Sequence, residues 1–192
     1  MEYGAKMIQW APFASSNPEP DGSVPHYGTP VNLGALNKAT ETINWAEASA
    51  YGDNARKVYI KEFKDGQLAV ETLYIPVATM AKLVGGTVET GSEANLHLGS
   101  EDAPPYGGLA FYVSAMTDGG AKYYQAIWYP KVKAGLDAKD YSTKGDSIVL
   151  NNAKLTFAVQ TCKTGDWKIL SPEFDTEAEA VSWINDKIKA TT

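Results

Sequence analysis

Residues 56–86 read RKVYIKEFKDGQLAVETLYIPVATMAKLVGG, and the way this stretch folds decides the architecture of the chain. Asp65-Gly66 tolerates positive φ at both positions, as a two-residue type I′ turn requires, so the stretch is expected to open with a β-hairpin. Val58, Tyr59, Ile60 and Phe63 precede that turn; Leu68, Val70, Leu73, Tyr74 and Ile75 follow it. β-Branched and aromatic residues of this kind fit a pleated, partly buried surface. Pairing across the turn sets Phe63 opposite Leu68, Lys61 opposite Val70 and Tyr59 opposite Thr72. The other face then carries Glu62 opposite Ala69, Ile60 opposite Glu71 and Val58 opposite Leu73. Neither face is cleanly apolar, whereas a sheet with one wet side should alternate. A bulge that shifts register, an edge hairpin, or a second face that meets another subunit would each explain this.

A short helix is expected next. Pro76 suits the first helical position, where its missing N–H costs nothing. Val77, Met80, Ala81 and Val84 share one face, and Gly85-Gly86 supplies a left-handed stop. About nine residues do not persist as an isolated helix, so this one is expected to lie on the sheet.

Toward the N-terminus, residues 3–10 read as a first strand, with Tyr3, Ala5 and Met7 on one face and Ile8 and Trp10 on the other. Residues 14–30 hold four prolines and two glycines among small polar residues, the composition of a long flexible loop. A second strand starts within 31–36. Residues 37–55 suit either a helix carrying Ile43, Trp45 and Ala46 or an extended segment. The extended reading is favoured, ending in a loop at Gly52-Asp53-Asn54.

Toward the C-terminus, a second long flexible loop is expected at 86–105, with Glu89, Glu93, Glu101 and Asp102 and no Lys or Arg. A second hairpin follows: residues 109–116, a turn at 117–120, then 121–129. Tyr112, Tyr123, Tyr124, Trp128 and Tyr129 crowd it. Residues 131–134 extend the sheet, 135–146 form a polar loop, and 147–150 and 155–160 are two strands or one long bent strand through Asn151-Asn152. A turn at 163–166 leads into 167–170. Thr176 and Glu179 have capping-box spacing ahead of a helix over 176–189 with the stripe Val181, Ile184 and Ile188. The order describes one domain, 1–192, of β-rich α+β class.

With 192 residues, the chain is long enough for one sizeable core. A net charge of −6 without clustered Lys and Arg argues against a nucleic-acid-binding surface. Residues 1–15 lack a charged start followed by an apolar run, so no signal peptide is expected, and no apolar segment approaches the ~20 residues of a membrane span. Cys162 is the only cysteine, which excludes an intrachain disulfide and fits synthesis in a reducing cytoplasm. With His26 and His97 as the only histidines, no zinc site and no cofactor are expected.

Catalytic motifs are absent: no Gly-x-Ser-x-Gly elbow, phosphate loop or His-Glu-x-x-His. Cys162 could pair with His26 or His97, but a lone cysteine is far more often a small buried hydrophobe. Glu62 and Glu71 could form a carboxylate pair, a signal that carries little among 23 acidic residues. Tyr123, Tyr124, Trp128 and Tyr129 admit a sharper rival to core packing, the sugar-stacking platform of a carbohydrate-binding or adhesion β-sandwich.

The order and spacing of many pieces resemble the major tail protein family, the tail tube subunits of long-tailed bacteriophages of Gram-positive hosts. The pieces are Tyr3-Gly4 leading through a strand to the Pro/Gly-rich loop and Tyr27-Gly28-Thr29-Pro30-Val31; Tyr51-Gly52-Asp53-Asn54; and the strand-to-helix run from Gly66 to Gly85. Later come Trp128-Tyr129-Pro130-Lys131-Val132, Lys144-Gly145-Asp146-Ser147-Ile148 and the strand 155–159. The resemblance implies an antiparallel β-sandwich or half-barrel with one short internal helix and a C-terminal helix. It further implies six copies closing into rings that stack into a tube, a conduit for DNA that passes without specific binding. The tape-measure protein and tail terminator would be its partners, the virion its location and the host cytoplasm its place of synthesis.

A non-enzymatic structural protein is therefore expected. The hairpins at 56–75 and 109–129 are expected to form the lumen-facing or inter-subunit sheet. The candidate ring-stacking and subunit-interface residues are Trp45, Tyr51, Asp53, Asn54, Lys61 and Glu71.

Overall fold

The computed structural model describes residues 1–89, 95–137 and 152–190. In chain order its elements are β1 (Glu2–Pro12), β2 (Val31–Asn32), β3 (Leu36–Gly52), β4 (Ala55–Thr72), α1 (Val77–Val84), β5 (Thr87–Val88), β6 (Leu96–His97), β7 (Tyr106–Met116), β8 (Lys122–Leu136), β9 (Ala153–Val159), β10 (Ile169–Leu170) and α2 (Glu177–Lys187). One antiparallel sheet runs in the order β2-β1-β7-β8-β9-β4-β3, with β10 added to β8, and β5 pairs with β6 apart from it. The chain is thus mostly antiparallel sheet with two short helices. The expected strand at 147–150, and most of the polar loop before it, lie outside the described residues.

The sheet curls until β3 at one end comes near β1, and two clusters form on its two sides. The inner cluster joins Ile8 and Trp10 of β1, Leu68 and Val70 of β4, Leu109, Phe111 and Val113 of β7, Ile127 and Tyr129 of β8, and Leu155, Phe157 and Val159 of β9, with Leu83 and Val84 of α1. The outer cluster joins the alternate residues Ala110, Tyr112, Ala126 and Trp128 to Ala180, Ile184 and Ile188 of the C-terminal segment. Strict period-two alternation on β7 and β8 thus feeds two cores, one per face.

Bulges supply the curvature. In β1, register slips at Gly4 (φ 69°) and again between Lys6 and Gln9, where Met7 takes φ 54°. That second bulge corrects the expected faces of the first strand. Met7 packs on the outer cluster while Ala5, Ile8 and Trp10 share the inner side. In β8 the register shifts opposite Gly107 and Leu109, where Pro130 sits; a residue with no N–H is tolerated where the ladder is already broken.

The opening stretch folds differently from its local signal. Asp65 and Gly66 are not a turn; they lie in the middle of β4, and none of the pairings across them exists. Leu68 instead stands beside Glu41 on one side and Phe157 on the other. Gly66 is where Ile43 and Val159 close over the backbone: a Cβ there would come within 3.0 Å of Ile43 Cδ1 and 3.4 Å of Val159 Cβ. The turn is at Asp53-Asn54, whose φ angles of 51° and 59° both lie in the left-handed region. Residues 37–55 are accordingly the partner strand, as the extended reading anticipates, and β3 is the sheet's free edge. A bulge is also present. Asn44 pairs with Asp65 and Trp45 with Phe63, so Lys64 is the extra residue, and Phe63 keeps the inner face alongside Gly66 and Leu68.

Both helices form, with adjustments. Pro76 is the N-cap of α1 rather than its first residue, Gly85 ends it at φ 76°, and the buried side chains are Ala81, Leu83 and Val84, with Val77 exposed. In α2 the capping box is complete: the Glu179 N–H donates to Thr176 Oγ1 at 3.3 Å and the Thr176 N–H donates to Glu179 Oε2 at 3.1 Å. Residues 14–30 form the long loop. It is fastened to the body by a half-buried Glu19–Lys131 pair at 2.7 Å and by buried Tyr27, whose hydroxyl donates to the Pro130 carbonyl at 2.7 Å.

Candidate interaction surface

β4 pairs with β9 only from Gly66 to Thr72, so residues 55–65 have β3 as their sole strand neighbour among the described residues. Residues 45–63 therefore leave the sheet as a two-stranded arm. Eight to nine residues per strand at ~3.3 Å each give a projection of about 30 Å. Tyr51 is 73% exposed and Trp45 43%, and Val58, Tyr59 and Ile60 are exposed as well.

Register sorts the arm into two unlike faces. Trp45/Phe63, Glu47/Lys61, Ser49/Tyr59 and Tyr51/Arg56 share the face continuous with the inner core. Here Lys61 bridges Glu47 at 3.2 Å and lies 5.1 Å from the centre of the Trp45 ring, while Arg56 covers Tyr59 at 4.7 Å. The opposite face holds Ala46/Glu62, Ala48/Ile60 and Ala50/Val58, flat and nearly uncharged. Three aromatic rings anchor the root: Phe63 stacks on Trp167 at 4.5 Å, and Trp45 meets both rings edge-on at 6.4 and 6.5 Å. Beyond the root, each strand of the arm is paired only with the other among the described residues.

Of the six residues expected at an interface, five (Trp45, Tyr51, Asp53, Asn54 and Lys61) lie on this arm. Glu71 does not join them. It sits in the rooted half of β4 between Lys38 and Lys154, about 30 Å along the strand from Lys61. Val58 and Ile60, also part of the surface, are not among those six. Their alternation with Lys57 and Lys61 is a strand signal, but nothing local distinguishes a strand covered by a core from one that leaves it.

The other candidate sites come apart in the folded chain. Trp128 and Tyr129 are each 1% exposed, so these two rings belong to the core, while Tyr123 and Tyr124 are half-buried. Trp128 packs edge-on against Tyr27 and Trp183, and the Tyr129 hydroxyl donates to Glu41 at 2.7 Å. Burial first, and then this bond to Glu41, push the Tyr129 hydroxyl far above its ordinary range. The β7–β8 hairpin is covered along most of its length, by the inner cluster on one face and by α2 on the other. Glu62 and Glu71 lie nine residues apart on one strand, about 30 Å and well beyond the reach of a carboxylate pair.

Cys162 is buried, its Sγ 3.1 Å from the Asp166 carbonyl oxygen. Among the described residues no group of three or more His, Cys, Asp and Glu is placed to hold a metal ion, and no helix is long and apolar enough to cross a membrane. No protein-family model matches the chain, and no curated protein does.

Proposed function

We propose that the chain is a structural subunit of the phage tail tube type. It closes into hexameric rings that stack into a tube, and the arm at 45–63 makes the contact between copies. The arm is the observation that carries this reading. An isolated two-stranded ribbon is marginal in water, yet this one presents Trp45, Tyr51, Val58, Tyr59 and Ile60 to solvent. Such a segment makes sense where a neighbouring copy covers it. Among the described residues β3 also leaves a full-length sheet edge unpaired, a template for strand contact unless a neighbour covers it.

Charge supports the same reading. Between residues 44 and 65, Arg56, Lys57, Lys61 and Lys64 balance Glu47, Asp53, Glu62 and Asp65, so the arm is neutral while the whole chain carries −6. A neutral arm can approach an acidic body without repulsion, and an acidic body with no basic cluster suits a channel along which DNA slides without sticking.

The test is negative-stain electron microscopy of the purified chain over a concentration series, beside a variant in which residues 46–62 are replaced by Asn-Gly. Trp45 and Phe63 are register partners, so the short turn closes the ribbon at its root and leaves the body's pairings in place. Six-fold rings or tubes from the intact chain, and a folded monomer from the shortened one, are the expected outcome. Assembly that survives loss of the arm overturns its role. A chain that stays monomeric at every concentration, alone and with preformed tube ends, overturns the reading.

A further inference from the structure

A cavity of about 300 Å³ opens between β1 and β3, the two strands that approach without sharing a ladder. Its floor is apolar, formed by Leu68, Phe111, Val113 and Ile127, and Glu2 and the Glu41–Lys168 pair stand around it. An apolar cavity of roughly 150 Å³ holds a benzene ring, so this one has room for a phenol.

We propose that this cavity receives Tyr51 from the arm of a second copy, with the Arg56 guanidinium of that copy meeting Glu2. The inference rests on the reading of the chain as a self-assembling subunit and names where the arm lands. Tyr51 and Arg56 are register partners near the arm tip and point to the same face. That pairing of a large exposed aromatic with an arginine is the composition of an interface hot spot. The charges complement each other. Glu41 is engaged by Lys168 and Tyr129, whereas Glu2 and Arg56 have no ion-pair partner among the described residues.

The arm cannot fill its own cavity. Glu41 at the rim and Tyr51 lie on one strand ten residues apart, about 33 Å. The contact is therefore head-to-tail, the kind that generates rings or open stacks according to whether the rotation closes. The arm also has only 19 residues between 45 and 63, fewer than the roughly 20–30 per side of a stable interface. An anchor sunk in a pocket supplies what so slender a surface lacks.

The experiment compares the critical concentration for assembly of the full chain with Tyr51→Ala, Arg56→Glu, Glu2→Arg and the Arg56→Glu/Glu2→Arg double variant, by sedimentation and electron microscopy. Tyr51→Ala is expected to raise that concentration at least about thirtyfold, the factor for losing a hot-spot aromatic. Each charge reversal is expected to weaken assembly and the double reversal to restore it. All three sites are at the surface, so unchanged circular dichroism of the monomers checks folding. Wild-type assembly with Tyr51→Ala unaffected, or a double reversal no better than its singles, overturns this contact and leaves the proposed function standing. A wild type that never assembles overturns both.

Discussion

Two ribbons of this molecule are alike as sequence and opposite in fate. β7–β8 and the arm of β3–β4 are both long antiparallel pairs, both rich in aromatic residues, and each carries a tryptophan. Trp128 is 1% exposed and Trp45 is 43% exposed. β7–β8 has β1 on one side and β9 on the other, the inner cluster on one face and α2 on the other face. Among the described residues the arm has no strand beyond its own partner. Strand composition reports that a segment will pair; how many neighbours it then finds is settled elsewhere in the chain.

The largest expected difference between the two ribbons comes from truncating their tryptophans. Trp128→Ala is expected to cost about 3–5 kcal/mol of stability, because it empties a closed core. Trp45→Ala should cost only about 1 kcal/mol, the scale of its edge-on contacts with Phe63 and Trp167. Urea denaturation of the two variants measures this directly, and equal losses would mean that the arm is packed as the core is.

A milder intervention acts on the turn. Asp53 and Asn54 hold left-handed φ, which alanine adopts at a cost of roughly 1–2 kcal/mol per residue. The double Asp53→Ala/Asn54→Ala variant should raise hydrogen exchange along 45–63 while the global denaturation midpoint stays put, because the arm opens as a local unit. It should also block tube growth without unfolding the monomer. Normal tubes from this variant would remove the tip from the contact.

The smallest effect is on the covered ribbon's outer face. A hydrogen bond from the Tyr112 hydroxyl, helped by Lys6, holds the Glu177 carboxyl below its usual range. A depressed folded value means the carboxylate stabilises the fold above its ordinary unfolded pKa and loses that contribution as pH falls through the lower folded value. Glu177→Gln should therefore flatten the acid side of the stability profile slightly, with no change near neutrality beyond a constant offset. An unchanged acid limb would show that α2 is held by its apolar contacts with the outer cluster and not by this carboxylate.

Much of the fold is readable without coordinates wherever local chemistry has one solution. Thr176 and Glu179 announce a helix start because each satisfies the other's backbone donor. Gly85 ends α1 because it takes φ 76° without a Cβ penalty. The turn at 117–120 and the alternation of β7 and β8 are of the same kind. The site is readable only in part. Tyr51, Asp53 and Asn54 mark a turn, but nothing near them says that the ribbon they close runs past the end of the sheet.

The β-rich class, the capping box of α2, the glycine stop of α1, the strands of the covered hairpin and the absence of familiar catalytic motifs are legible in the residues alone. The tertiary structure alone decided which of two turn-competent pairs makes the turn. Asp65-Gly66 and Asp53-Asn54 are both suited to positive φ, and local propensity does not rank them. Turning at 53–54 lets Gly66 lie flat beneath Ile43 and Val159, places Phe63 on Trp167 and buries Leu68 and Val70. Those partners are up to about a hundred residues away in the chain, and burying apolar surface against them outweighs the small preference of any one dipeptide for a turn.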